Sequence, residues 1–324
     1  MIKKIDDNKK LTVVITTYNR KEPLLQQLKS LELQGQYDKY EIIISDNHSD
    51  YDIKEWISRS LCQDFLNIVT VYVHPFNVGG DLNITLSFQL PKTKWMWLLS
   101  DDDITDPNSI NTVLSDIEKH DDDDVCWLRY SISGFYKSER NVKANSLVDF
   151  FNIYQKGHTP GEMVFMANNV YRLRDLRCYL TEICKFDDTC MSQILLPLFA
   201  IKNEKKTMVL SPECLTNYVE GRASYSMLFA YMRFSNLLYV TTLPLSKREI
   251  NEFKKLNFIS SRRIVSYLVY VDNRKLRWEY FKKIFIAHYK LLSLKGVQAL
   301  LNYCIMELIS PKRILRRRQR KAFA

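Results

Sequence analysis

Glycine is scarce in this chain, with 8 in 324 residues beside 9 prolines. That scarcity excludes a low-complexity or loop-rich protein. It also leaves no GxxxxGK[ST] and no GxGxxG, so a glycine-rich nucleotide loop is not available to it. Seven cysteines, at 62, 126, 178, 184, 190, 214 and 304, form no CxxC pair. Their odd number and spacing fit neither a zinc site nor a disulfide framework. They read as reduced thiols, which sets the expectation of a cytoplasmic protein. No run of 18 apolar residues occurs, so no transmembrane helix is expected. The first ten residues are polar and lack an apolar segment, so no secretory signal is expected either.

Hydrophobic residues make up 46% of the chain, enough for a substantial core. The net charge is +10. Such a surplus implies an anionic partner, and nucleic acid, a phosphorylated substrate and an anionic membrane all qualify.

The first hundred residues alternate short apolar runs with helical periodicity. Residues 11–17, Leu-Thr-Val-Val-Ile-Thr-Thr, predict a strand from their β-branched content. Residues 22–33 predict a helix with Leu24, Leu25, Leu28 and Leu31 on one face. Residues 41–45 predict a second strand, 53–61 a short helix, 67–73 a third strand, 81–90 a helix and 95–100 a fourth strand. Near-continuous apolar strands alternating with helices argue for a parallel sheet covered on both faces. Ligands of such sheets bind beyond the carboxyl ends of the strands.

Three of those ends carry polar clusters: residues 16–20, 46–50 and 101–103. The last is Asp101-Asp102-Asp103, directly after the apolar run Trp95-Met96-Trp97-Leu98-Leu99-Ser100. Packed like charges repel and resist desolvation. Mg²⁺ or Mn²⁺ would reconcile them, since hard cations take carboxylate oxygens and Mg²⁺ binds one or two carboxylates plus substrate phosphates. A polar turn before Pro107 would account for them without a metal.

These clusters, in this order, resemble the inverting glycosyltransferases of family 2. Val13-Val14-Ile15-Thr16-Thr17-Tyr18-Asn19-Arg20 is similar to that family's opening strand and nucleotide loop, with Thr16 where a proline is usual. Residues 41–50 resemble the second strand and its acidic turn. Asn77-Val78-Gly79-Gly80 with Asn83 resembles an Asn-x-Gly segment. Residues 97–103 resemble the Asp-x-Asp metal motif, with Ser100 where the first Asp is usual. The resemblance spans roughly residues 11–220.

It implies an α/β protein with a GT-A fold: a Rossmann-like, mostly parallel central sheet with helices on both faces. It implies a catalytic domain over 1–220, and the residue pattern beyond it predicts a mainly helical, basic region over 221–324. It implies a nucleotide-diphospho-sugar donor, UDP being the first choice, and Mn²⁺ or Mg²⁺ as cofactor. Thr16, Thr17, Tyr18, Asn19, Arg20, Asp46, Asn77, Gly80, Asn83, Asp101 and Asp102 are then the donor-contacting residues. Tyr18 is expected to pack on the base, Asp46 to accept from base or ribose, and Arg20 to reach a phosphate. Asp103 is the first choice of metal ligand and Asp101 the second. Inversion needs a general base for the acceptor hydroxyl, and Asp188 or Asp187 is expected to supply it. Both acids could instead be an N-cap and first-turn acid of the apolar helix that follows. Asp121 to Asp124 reads as a solvated loop with no role, and His158 as a surface loop histidine.

The implied acceptor is a glycan or lipid-linked glycan of bacterial surface-polysaccharide assembly. After about residue 222 aromatic, Leu and basic residues alternate at helical spacing. Residues 312–321 include seven basic residues. Such a region can lie on an anionic interface without spanning it, so peripheral contact with the inner face of the cytoplasmic membrane is expected. An ordinary helical domain with a solvated basic tail is the plainer alternative. Two rival functions share some features. A two-metal nucleotidyl or phosphoryl transferase also uses clustered carboxylates, but would not need the Thr-Tyr-Asn loop or Asp46. A nucleic-acid-binding protein would use the charge, but the basic residues concentrate in the C-terminal third, and no nucleic-acid partner is expected.

Overall fold

A computed structural model describes residues 9–121, 124–133, 139–155, 165–189, 191–217 and 245–256, with isolated positions at 275, 278, 279, 282 and 301. The chain divides into two compact units, Met1–Ser224 and Tyr225–Ala324.

The first unit is built on one sheet. Strands β1 (Leu11–Thr17), β2 (Tyr40–Asp46), β3 (Val69–Val73) and β4 (Trp95–Ser100) lie in the order β3-β2-β1-β4. All three of those pairings are parallel. Every residue of β1 is buried, which is why it carries an unbroken apolar and threonine run rather than an alternating one. The sheet continues through β8 (Asn169–Arg172), β6 (Val125–Ser133) and β9 (Thr207–Asn217) to β5 (Ile104–Thr105), with β7 (Val142–Ala144) beside β9. Strand β8 runs antiparallel to both β4 and β6, while β6 and β9 are parallel.

The two faces of β1 carry different helices. Leu11, Val13 and Ile15 meet Leu24, Leu28 and Leu31 of α1 (Lys21–Glu32) and Ile110, Val113 and Ile117 of α5 (Ser109–His120) in one core cluster. On the other side lie α4 (Gly80–Ser87) and α8 (Ser192–Glu204), joined by a 2.5 Å hydrogen bond between the Thr85 and Ser192 hydroxyls. The Tyr171 hydroxyl donates to the carbonyl of Gln193 at 2.9 Å. The remaining helices of this unit are α2 (Ile53–Ser58), α3 (Gln63–Leu66), α6 (Leu147–Gln155) and α7 (Leu180–Ile183), followed by a 3-10 turn over Cys184–Thr189.

Several element boundaries differ from the sequence expectation for local reasons. The helix expected over 53–61 stops at Ser58, and α3 intervenes before β3, so Asn67 caps a helix rather than opening a strand. Asp187 and Asp188 lie in the 3-10 turn, and the N-cap of α8 is Met191 with no side-chain capping bond. Neither acid therefore caps α8. Asp121 is no bystander: Lys94 Nζ lies 2.6 Å from its Oδ1 and Lys10 Nζ 3.5 Å from its Oδ2. The Trp95 indole also donates to Asp121 Oδ1 at 3.2 Å. This cluster ties the start of β4 to the end of α5. Of the second unit, α9 (Lys247–Leu256) is described, opening on a reciprocal Ser246–Glu249 capping box. His158 and residues 312–324 fall outside the described residues.

Candidate active site

Parallel register brings the three polar clusters to one edge of the sheet. Thr17 pairs with Asp46, and Thr16 pairs with both Ser45 and Ser100. Strands β1, β2 and β4 therefore end level, and the loops that follow them face one crevice. That is where an open α/β sheet binds its ligand.

The loop after β1 is held by its own polar side chains. Asn19 adopts left-handed backbone at φ 54°, which Asn tolerates better than most residues. Its amide group accepts from the Asp50 backbone N–H and donates to Asp50 Oδ2, both at 2.8 Å. Its own N–H donates to Ser49 Oγ at 2.9 Å. Asn19 thus brackets the loop after β1 to the loop after β2. Between the brackets Tyr18 projects with 42% of its surface exposed. An exposed aromatic ring offers an apolar face to a planar partner.

The loop after β4 carries the three carboxylates. Asp101 is 3% exposed, and its Oδ2 accepts from the Thr17 hydroxyl at 2.8 Å. Arg20 Nη1 lies 3.0 Å from Asp101 Oδ1 and 3.0 Å from Asp102 Oδ2. The other oxygen of Asp102 accepts from Ser100 Oγ at 2.6 Å. Asp103 Oδ2 accepts from the Ser100 N–H at 2.8 Å and closes the loop. Asp101 and Asp102 therefore share the Arg20 guanidinium, while Asp103 has one oxygen turned inward. Ser100, the departure from the Asp-x-Asp pattern, serves this loop through both its amide and its hydroxyl.

Burial pushes the Asp101 carboxyl up to about 6, with Asp102 adding to the rise while Arg20, Thr17 and the Tyr18 amide oppose it. Burial likewise lifts Asp103 to about 7, opposed by the Ser100 amide and reinforced by Asp102 and Asp101. Both groups hold protons in the folded chain that they lose at lower pH when unfolded. Their contribution to stability is complete below the ordinary carboxylate range and is lost as pH rises through about 6 to 7. In EDTA, the melting temperature is expected to fall by about 4 °C between pH 5 and pH 8 from this source. Asp103→Asn should flatten that slope, and an unchanged slope in thermal melts would show that the two carboxyls do not cause it.

Several residues expected at the donor also bond to protein. Asp46 is 1% exposed and accepts from the Ser49 amide and, at 2.6 Å, from the Ser49 hydroxyl. Asn83 is also buried. Its Oδ1 accepts from Ser45 Oγ at 2.6 Å, its Nδ2 donates to the Ser45 carbonyl at 3.2 Å, and His74 Nε2 lies 3.0 Å from its Oδ1. Asn77 Oδ1 accepts from Asn47 Nδ2 at 2.8 Å and from the Gly79 amide at 2.9 Å. These three side chains shape the β2 and β3 ends of the crevice. Gly79, at φ 90°, makes the turn into α4, and Gly80 opens that helix. The 3-10 turn with Asp187 and Asp188 packs against α4. The side chains of Asp187 and Asp188 lie outside the described residues.

Tyr51 is a site-lining residue that the sequence motifs do not reveal. Its hydroxyl is buried without a hydrogen-bond partner. Burial first, then the charges of Asp46, Asp101 and Glu22, push its phenol up to about 12. Lys21 Nζ sits 4.5 Å from the centre of its ring. Its place directly after the acidic turn, at Asp50, is the signal that could have marked it.

The donor set is hard oxygen, which suits Mg²⁺ or Mn²⁺. Among the described residues no three His, Cys, Asp or Glu side chains form a complete cation cage. Two carboxylates around a cation, leaving room for phosphate oxygens, fit a Mg²⁺-type site better than an all-protein cage does.

A parallel β3-β2-β1-β4 block with acidic and hydroxyl clusters at its carboxyl edge defines the chain as a GT-A protein. Solved structures agree. S. aureus TarS 1-349 in complex with UDP superimposes with a TM-score of 0.59 at 13% identity, over 92% of this chain and 91% of that one. The same TarS fragment with UDP-GlcNAc gives 0.57 at 14%, over 85% and 81%. Mannosyltransferase PcManGT from Pyrobaculum calidifontis, in complex with GDP-Man and Mn2+, gives 0.51 at 12%, over 94% and 82%. No curated protein sequence matches the chain. The Glycosyl transferase family 2 profile matches residues 12–180, more than half of the chain. The chain belongs to glycosyl transferase family 2, and it is a glycosyltransferase. That membership displaces the phosphoryl-transferase and nucleic-acid readings.

Proposed function

We propose that this enzyme transfers a sugar, with inversion, from a nucleotide-diphospho-sugar to a hydroxyl of a glycan or lipid-linked glycan. The observation that carries the reading is the shared cation position between Asp101 and Asp102, at the same sheet edge as the exposed Tyr18 ring. Tyr18 stacks on the base. Arg20 reaches the diphosphate. Asp101 and Asp102 hold the metal, and Asp103 closes the loop that carries them. A bound Mn²⁺ or Mg²⁺ supplies Lewis-acid neutralisation of the charge that builds on the departing diphosphate. Asp46, Asn77 and Asn83 act one step back, by holding the loops that Tyr18 and the ribose lie against. Asp188, or its neighbour Asp187, takes the proton of the acceptor hydroxyl.

UDP is the proposed nucleotide. TarS structures with UDP and UDP-GlcNAc support a uridine donor, while the PcManGT structure with GDP-Man and Mn2+ supports the metal. Calorimetric titration with UDP, GDP and dTDP, with and without Mn²⁺, tests this. UDP binding that strengthens with Mn²⁺ is expected, and metal-indifferent binding of all three would overturn the metal assignment.

Among the described residues no helix is long and apolar enough to cross a membrane. We infer peripheral contact with an anionic leaflet through the basic residues 312–321, which suits a lipid-linked acceptor. Deleting residues 312–324 is expected to weaken sedimentation with phosphatidylglycerol vesicles at least tenfold. Equal sedimentation would rule out the tail as the contact.

A further inference from the structure

The exit of β3 inverts the usual rule of burial. His74, the first residue after the strand, is 3% exposed, while Val73 before it and Phe76 beyond it are 53% and 63% exposed. A polar ring goes inside where two apolar side chains stay out, and a buried polar group needs partners.

The partners of His74 come from three parts of the chain. Its backbone N–H donates to the Asp46 carbonyl, at the end of β2, at 2.9 Å. Its own carbonyl accepts from His48 Nδ1, in the loop after β2, at 3.0 Å. Its ring Nε2 donates to Asn83 Oδ1, in α4, at 3.0 Å. Carbonyl oxygens only accept, so His48 carries its hydrogen on Nδ1 and His74 on Nε2. Asn83 is oriented by its Nδ2, which donates to the Ser45 carbonyl at 3.2 Å.

His74 and Asn83 bracket the connection that holds Asn77, Gly79 and Gly80. The ring bond closes that connection at its foot, across nine positions of the chain. Nearer its tip, Asn47 accepts from the Val78 N–H and donates to Asn77 Oδ1, both at 2.8 Å. These bonds tie the connection to β2 and to the loop after β2, which is the side of the crevice read above as the nucleoside side. The carboxylate loop after β4 takes its bonds from Thr17, Arg20 and Ser100 instead.

We propose that His74 is a positioning residue for the nucleoside end of the donor: by closing the foot of the 74–83 connection on Asn83, it sets the wall against which the ribose lies. The inference rests on the donor reading above. It makes a selective demand. Loss of the ring bond loosens the nucleoside wall and leaves the bonds of the carboxylate loop in place. Nucleotides therefore lose affinity, while a ligand made only of phosphate and metal does not.

Calorimetric titration with UDP, UMP and pyrophosphate, each with saturating Mn²⁺, tests this. His74→Phe keeps a buried ring and removes the donor. Asn83 Oδ1 still receives the Ser45 hydroxyl hydrogen, so no buried acceptor is orphaned and the fold is retained. The variant should bind UDP and UMP about tenfold more weakly, and pyrophosphate within about twofold of the unaltered enzyme. His74→Gln places an amide N–H donor near the position of Nε2 and should restore UDP affinity to within about threefold. His74→Leu repeats the test should the Phe variant melt early. Val73→Ala, at the exposed neighbour, should change UDP affinity by less than about twofold. Unchanged UDP affinity in His74→Phe overturns the proposal. An equal loss for pyrophosphate, an equal loss in Val73→Ala, or a Gln variant as weak as the Phe variant overturns it too, since each marks a merely structural residue. Failure of the donor reading looks different, because the unaltered enzyme would then bind neither UDP nor UMP.

Discussion

Asp102→Asn is expected to lower turnover about 10³-fold, equivalent to about 4 kcal/mol of transition-state stabilisation. Asp102 offers Oδ2 to the shared cation position and is less buried than Asp101. An amide in its place presents one neutral oxygen, held by Ser100, and turns an NH₂ with two donors toward the cation position, which repels a hard cation there. The variant keeps the shape of the side chain, and the Ser100 hydroxyl can still donate to the amide oxygen. Stability should therefore change little, while Mn²⁺-dependent UDP binding is lost. Titration of the folded variant with UDP and Mn²⁺ reads this directly. Retained metal-dependent binding would move the site to Asp103 and Asp101 alone. Asp103→Ala is the complementary variant, but its carboxylate also closes the loop through the Ser100 amide. A loss of activity there mixes ligation with loop geometry.

The second large effect belongs to the base. Asp188→Asn should reduce kcat about 10³-fold, within the range that general bases contribute, and leave UDP and Mn²⁺ binding intact. The same variant should lose the acid limb of the pH–rate profile, because that limb reports ionisation of the base. Asp187→Asn serves as its pair. Neither acid caps α8, whose N-cap is Met191, so the plainer explanation for two adjacent acids at this point does not hold. Their turn packs against α4, which starts from the Gly79–Gly80 turn beside the crevice. Full activity in both variants would exclude this segment as the source of the base.

Much of the architecture was legible without coordinates. Strands β1, β2 and β4 announce themselves as unbroken apolar runs because parallel strands buried on both faces need apolar side chains at successive positions. The clusters at their ends were legible for the complementary reason, since polar side chains appear where a strand leaves the core. Strand β8 was harder. It is four residues long and enters the sheet antiparallel between β4 and β6, and only its long-range partners define its place. The β5–β9 pairing is likewise nonlocal, with Ile104 opposite Asn217. Polar side chains were the least legible. Asp46 and Asn83 are legible as polar residues, but their bonds to Ser49 and Ser45 are not. A buried polar group must be paired, and a list of residues does not say which neighbour will pair with it.

The sequence alone determined which chemistry could gather at one end of the sheet: hydroxyls and an aromatic after β1, acids after β2, and three carboxylates after β4. Order and residue type suffice for that, because strand–helix alternation forces the strand ends to one edge. Only the tertiary structure decided how those groups divide their work. It placed Arg20 at 3.0 Å from both Asp101 and Asp102 and turned Asp103 toward Ser100. Charge pairing depends on distances of a few ångströms, and those follow from the parallel register of β1 with β4, which brings together residues more than eighty positions apart.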